Sequence, residues 1–101
     1  MKRVLVRYRV KSNRADENRQ FVNKVFAELE KKSPEGIRYV TFVQPDGVSF
    51  VHLASIETED GSNPLTELQA FKDFQEEIKD RCEEGPTPSP LIEIGSYRVF
   101  D

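Results

Sequence analysis

The stretch Val48-Ser49-Phe50-Val51-His52-Leu53-Ala54-Ser55-Ile56 is apolar at odd and even positions alike. Successive side chains of a strand point to opposite faces, so these nine residues predict a strand that needs cover on both sides. Just before it, Gln44-Pro45-Asp46-Gly47 combines a proline that presets φ with a glycine that accepts positive φ. That is the chemistry of a tight reversal, which makes Ile37–Val43 the other arm of a hairpin. Nearer the start, Val4, Val6, Tyr8 and Val10 alternate with Leu5, Arg7, Arg9 and Lys11, predicting a strand with one apolar face. Between that strand and the hairpin, Asn13 and Asp16 offer caps. Phe21, Val22, Val25, Phe26 and Leu29 then recur at helical spacing until Ser33-Pro34-Glu35-Gly36 stops them, so a helix is expected over 16–32.

Beyond the hairpin, the acidic residues of 57–61 read as a solvated loop, since their spacing matches no EF-hand. Ser62-Asn63-Pro64 then supplies a cap and a first-turn proline, and Leu65, Leu68, Phe71, Phe74 and Ile78 form one apolar stripe. A second helix is expected from there to a stop at Gly85. Pro86-Thr87-Pro88-Ser89-Pro90 lacks a backbone donor at every second residue, which predicts an extended connector, and Leu91–Phe100 predicts the last strand.

The order β-α-β-β-α-β is an α+β, ferredoxin-like arrangement: a four-stranded antiparallel sheet with two helices on one face. The other face should be polar if it meets water, yet 48–56 is apolar on both parities, Ile37, Tyr39 and Val43 oppose Val40 and Phe42, and Leu91, Tyr97 and Val99 oppose Ile92, Ile94 and Phe100. Covering that face with a second copy of the same sheet predicts a homodimer.

Composition narrows the classes. A chain of 101 residues makes one domain, 1–101, and 37% apolar with 33% charged residues is the profile of a folded, well-solvated protein rather than a disordered or membrane one. Lys2, Arg3, Arg7, Arg9, Lys11 and Arg14 precede the first acid, but they lie along a strand without an aromatic RNA-binding motif, and the isoelectric point is about 5.2. No nucleic-acid partner is expected. Arg7, Arg9 and Lys11 also interrupt any signal-peptide core, and Cys82 is alone, so no disulfide forms and a cytoplasmic location is expected.

The element order, with the phrases Val4-Leu5-Val6-Arg7-Tyr8-Arg9-Val10, Phe50-Val51-His52-Leu53 and Ala70-Phe71-Lys72-Asp73-Phe74, resembles the dimeric α/β-barrel superfamily. Within it the sequence is most similar to the antibiotic biosynthesis monooxygenase-like group. The resemblance implies a homodimer with a shared barrel and, in each subunit, a pocket between sheet and helices. It also implies a range of activities: cofactor-free oxygenation of quinols and anthrones, haem degradation, isomerisation, cyclisation and ligand sensing. Many members carry a histidine near the start of the second helix and a tryptophan at the end of the third strand. Here Leu68, Gln69 and Ala70 occupy the former position and the chain has no tryptophan, which argues against haem degradation. One histidine and one cysteine make no ordinary zinc or iron site, and the five glycines form no phosphate loop, so neither metal nor cofactor is expected.

His52 is the sharpest catalytic candidate, as a base toward a phenol or hydroquinone or, alternatively, as an interior histidine with a structural partner. Tyr8, the other catalytic candidate as a base acting through water, should lie beneath the helices, where its hydroxyl needs a partner, either a ligand or the backbone. Tyr39, Phe50, Phe71 and Phe74 are candidate substrate contacts, with Phe21 and Phe26 as core or further pocket wall. Arg7 is a candidate for stabilising an anion; the competing reading groups Arg7 and Arg9 with Glu93 as an ion-pair cluster. Cys82, expected at an acidic helix end, makes a poor nucleophile. The expected function is binding of a small apolar or aromatic molecule, with cofactor-independent monooxygenation of a quinol- or anthrone-like substrate. The alternatives are a non-catalytic binding or sensing domain and a cofactor-free isomerase or cyclase.

Overall fold

In the computed structural model, which describes residues 1–99, β1 (Lys2–Val10) runs through a 3-10 turn (Ser12–Arg14) into α1 (Ala15–Lys32). The hairpin strands β2 (Ile37–Val43) and β3 (Ser49–Ile56) follow, then a second 3-10 turn (Pro64–Glu67), α2 (Gln69–Glu76), α3 (Ile78–Arg81) and β4 (Cys82–Leu91). All pairings are antiparallel in the order β2-β3-β1-β4, so the ferredoxin-like layout expected from the sequence is the one observed.

The reversal between β2 and β3 is held by Asp46, whose carboxylate accepts from the Val48 and Ser49 amides at 3.0 and 2.9 Å and from the Ser49 hydroxyl at 2.6 Å. Gly47 follows at φ +78°. Before β2, Gly36 sits at φ +82°, and a Cβ there would lie 2.6 Å from Thr58 Cγ2, so only glycine fits.

The second helical region differs from the expected single helix. Leu65, Leu68, Phe74 and Ile78 are all buried, as the stripe implies. However, Leu65 and Phe74 are nine residues apart, and at about 3.6 residues per turn an unbroken α-helix would place them on opposite sides. The chain resolves this by starting as a 3-10 turn, in which residues three apart eclipse, and by breaking at Leu68 (φ −84°, ψ 130°) and again at Glu77 (φ −121°, ψ 25°). The predicted cap is real: Asn63 Oδ1 accepts from the Leu65 amide at 3.0 Å, with Pro64 in the first turn.

The last strand is also corrected. It is the proline-rich segment Cys82–Leu91 that pairs with β1, and Gly85 lies within it instead of ending a helix. The Val10 amide donates to Val48 on the β3 side and the Lys11 amide to Arg81 on the β4 side, so odd-numbered residues of β1 turn their backbone groups toward β4. Their register partners are Thr87, Ser89 and Leu91, while Pro88 and Pro90 stand opposite Val6 and Val4. The missing donors of Pro88 and Pro90 therefore belong to the outer edge, where a strand tolerates proline, and Pro86 falls at the register shift between Thr87 and Glu84. Residues 92–99 form no strand, with Ile92, Ile94, Tyr97 and Val99 exposed; Phe100, the end of the predicted strand, lies outside the described residues.

The core sits between the helices and the sheet face carrying Tyr8, Val10 and Phe50. On the opposite face Val40, Phe42 and Leu91 are exposed, Phe42 by 57%.

Candidate functional site

Under α2, the helix-facing side of the sheet leaves a cavity of about 370 Å³. Its walls are mostly apolar: Val4 and Val6 from β1, Ala54 and Ile56 from β3, Phe71 and Phe74 from α2. The buried polar groups entering this wall are Tyr8 and His52 with the half-buried Tyr39, while Lys2, Thr66 and Gln75 hold exposed positions and Asn63 a half-buried one in the lining. A largely apolar cleft with few convergent polar groups is the usual form of a small-molecule site.

Register explains the convergence. Val6 and Thr41 are the partners of His52, Phe50 is the partner of Tyr8, and Ala54 that of Tyr39, which puts the three polar rings on one face of neighbouring strands. The Tyr8 hydroxyl lies 2.8 Å from His52 Nε2. On the other side of the imidazole, Nδ1 meets the Tyr39 hydroxyl and, at 3.2 Å, Thr41 Oγ1. Phe74 tilts over His52 with ring centroids 5.4 Å apart, and Phe26 stacks on Tyr39 at 5.2 Å.

Two further polar residues extend this chain. Asn18 Nδ2 donates to the Tyr8 oxygen at 2.9 Å, and Arg81 Nε donates to Asn18 Oδ1 at 3.2 Å. Both residues are fully buried. Arg81 Nη2 also donates to the Phe74 carbonyl at 2.7 Å, and the guanidinium lies 4.4 Å from the centre of the Phe21 ring. Sequence reasoning overlooked this pair, although a signal was present. Asn18 occupies the apolar stripe of α1 with Val22, Val25 and Leu29, and Arg81 continues the Phe74–Ile78 spacing, so each is a polar residue where the pattern calls for an apolar one.

Burial sets the protonation states. It lowers the His52 pKa from 6.5 to about 4, so the imidazole is neutral near pH 7. It pushes the Tyr39 phenol up to about 12, against the opposing hydrogen bond from Thr41, and raises the Tyr8 phenol well above its ordinary value despite the bond from Asn18. Burial also lowers the Arg81 pKa and raises that of the Cys82 thiol.

Of the residues singled out in the sequence, His52, Tyr8, Tyr39, Phe71 and Phe74 are brought together around the cavity. Phe50 is not in its lining; it stacks behind Tyr8 in the core at 5.5 Å. Arg7 lies on the opposite sheet face, donating to Gln44 Oε1 at 3.2 Å. The expected Arg7–Arg9–Glu93 cluster is replaced by separate contacts, Arg9 with Glu83 and Glu84 and Arg3 with Glu93, because β4 ends before Glu93. Cys82 opens β4 and is buried. Among the described residues no three His, Cys, Asp or Glu side chains converge as a metal would require, and no helix is long and apolar enough to cross a membrane.

No family model and no curated protein matches the chain. Solved structures do. Rv0793 from Mycobacterium tuberculosis superposes with a TM-score of 0.76 at 10% identity, covering 94% of this chain and 96% of that one. A protein described as an antibiotic biosynthesis monooxygenase gives a TM-score of 0.73 at 15% identity, covering 94% and 100%. SnoaB, a cofactor-independent oxygenase from Streptomyces nogalater solved as a mutant, gives 0.69 at 12% identity, covering 96% of each chain. At such identities the likeness is one of fold, and the chain has the ferredoxin-like fold of the antibiotic biosynthesis monooxygenase-like proteins.

Proposed function

We propose that the chain binds a small, largely apolar aromatic molecule in the cavity beneath α2 and oxidises it with dioxygen without a cofactor. The observation that carries this reading is an apolar chamber of about 370 Å³ whose inward polar groups are the linked Tyr8, His52 and Tyr39. That volume lies at the lower end of the roughly 300–1,000 Å³ of ligand sites, the scale of a two- or three-ring molecule. For an anthrone-like substrate, a methylene between two aryl rings loses one proton to water at the open rim of the cavity, giving an enolate whose oxygen is held by hydrogen bonds at the buried end. The enolate passes one electron to dioxygen, and the resulting radical and superoxide combine at carbon. The peroxide anion takes up a proton and expels water across the remaining C–H bond. One CH2 group and one O2 thus become one C=O group and one H2O.

His52 contributes as a neutral hydrogen-bonding group, since burial leaves it a weak base and both ring nitrogens are engaged. The same observation favours a second reading, ligand binding without chemistry. Oxygen uptake with anthrones and hydroquinones separates the two. The enzyme reading expects uptake above the protein-free rate, a ketone carrying one atom of isotope-labelled dioxygen, and loss of turnover in a folded Tyr39→Phe variant. Uptake equal to the protein-free rate across the panel would leave binding alone.

A second copy of the chain is the natural cover for the opposite sheet face. Val40, Phe42 and Leu91 are exposed there, Val99 lines a shallow hollow with Arg38, Val40 and Leu53, and Ile92, Ile94 and Tyr97, which follow β4, are exposed too. A monomer displaying that surface would carry an association liability, which a two-fold pairing removes.

A further inference from the structure

Arg81 gives the buried hydrogen-bond chain a direction. A guanidinium only donates, so the Asn18 oxygen must face Arg81 Nε, 3.2 Å away, and the amide nitrogen must face Tyr8. Asn18 Nδ2 accordingly donates to the Tyr8 oxygen at 2.9 Å. The hydrogen of Tyr8 then has one acceptor within reach among the described residues, His52 Nε2 at 2.8 Å. With Nε2 accepting, a neutral imidazole carries its proton on Nδ1 and donates it to the Tyr39 oxygen. Thr41 Oγ1, 3.2 Å from the same Nδ1, is a second acceptor within reach of that proton. Tyr39 thus takes the Nδ1–H hydrogen bond on its oxygen, and its own hydrogen is left for whatever occupies the cavity that the ring lines.

We infer that Arg81 and Asn18 are positioning residues that fix the Nδ1–H tautomer of His52, so that Tyr39 donates into the cavity and selects ligands presenting an acceptor oxygen there, a ketone carbonyl or an enolate. The selection rests on the cavity being the ligand site; the tautomer does not. A hydroxyl ligand can accept from Tyr39 only by leaving its own hydrogen unpaired against the apolar wall, and an unmatched buried polar group weakens binding.

His52 is the chain's single histidine, so its ring nitrogens give one unobstructed set of nitrogen NMR signals. The wild-type protein is expected to show the proton on Nδ1 and to bind fluorenone about tenfold more tightly than fluorenol, the order of factor that an unmade buried hydrogen bond is worth. Asn18→Asp supplies a carboxylate that accepts from Arg81 and Tyr8 together. Tyr8 then turns its hydrogen toward residue 18, His52 becomes the Nε2–H tautomer, and Tyr39 gives its hydrogen to Nδ1. The preference should reverse to fluorenol. Tyr39→Phe, which leaves the rest of the chain in place, should lose the wild-type preference altogether and keep the Nδ1–H tautomer, so the test survives if Asn18→Asp does not fold. Fluorenone binding with the wild-type proton on Nε2 overturns the inference while sparing the cavity as a ligand site. Binding of neither compound overturns the ligand site, and the selection with it, even if the tautomer is Nδ1–H.

Discussion

Acidification should destabilise this protein through one identifiable group. His52 is 5% exposed and its pKa falls from 6.5 to about 4 on burial, so the unfolded chain binds a proton more readily than the folded one. Stability is fully present above the unfolded value and is lost as pH falls from about 6.5 toward about 4. Integrating the difference in bound protons between those two pKa values gives about 2 kcal/mol lost between about pH 7.5 and about pH 5. For a domain of this length that corresponds to a drop of roughly 10 °C in Tm. Glu17, Glu28, Asp46, Glu57 and Asp60 also have lowered pKa values, but they stay largely ionised over this interval and act below it. The assay is urea denaturation at half-unit pH steps on wild type and on His52→Gln, which keeps a donor and an acceptor but cannot titrate. The difference in slope between the two proteins isolates His52, whatever the absolute cost of the substitution. Parallel curves for the two proteins, or an imidazole that titrates near 6.5 in the folded state, would refute the assignment of a buried neutral histidine.

Tyr8→Phe removes one oxygen and orphans a buried donor on Asn18 and a buried acceptor on His52, so it should cost about 2 kcal/mol in chemical denaturation with an unchanged urea dependence. An effect below about 0.5 kcal/mol would mean that the chain is not closed through Tyr8. Phe42→Asp, on the sheet face away from the helices, should convert a dimer to a monomer in sedimentation or native mass spectrometry while leaving the fold intact by circular dichroism. A wild-type chain that is already monomeric at high concentration would dispose of the proposed second copy.

Most of the fold could be read from local chemistry because its signals were redundant. The alternation of Val4 to Val10 and the Pro45-Asp46-Gly47 reversal each state a conformation within a few residues, and the structure follows them. The misreadings arose where a decision depends on a neighbour. Prolines at 86, 88 and 90 argue against a strand unless their missing donors turn outward, as at 88 and 90, or fall at a register shift, as at 86, which requires knowing that β4 is an edge with β1 on one side only. Similarly, a stripe at intervals of three suggested one helix, whereas its accumulated rotation demanded breaks at Leu68 and Glu77. At the site, His52, Tyr8 and Tyr39 were legible as polar rings on apolar strands. Asn18 and Arg81 were hidden inside helix stripes that elsewhere hold only core residues, and their role depends on a contact across 63 positions of sequence. Arg7 was legible from its parity, opposite to that of Val4, Val6 and Tyr8, as a residue of the other sheet face, but its partner Gln44 lies 37 positions away and no local pattern names it.

The prolines of β4 also act before the sheet exists. Folding a strand costs the conformational freedom of its unfolded residues, and a ring that already holds φ near its extended value has little to lose. Each proline compatible with its native backbone lowers the entropy of the unfolded chain by the equivalent of roughly 0.4–1 kcal/mol. With three in alternation, the segment 86–90 is close to straight in the disordered chain, as is each residue that precedes a proline. The strand with the fewest backbone donors in the sheet is therefore also the one whose unfolded form most resembles its folded form, and β1 needs fewer hydrogen bonds to hold it in place.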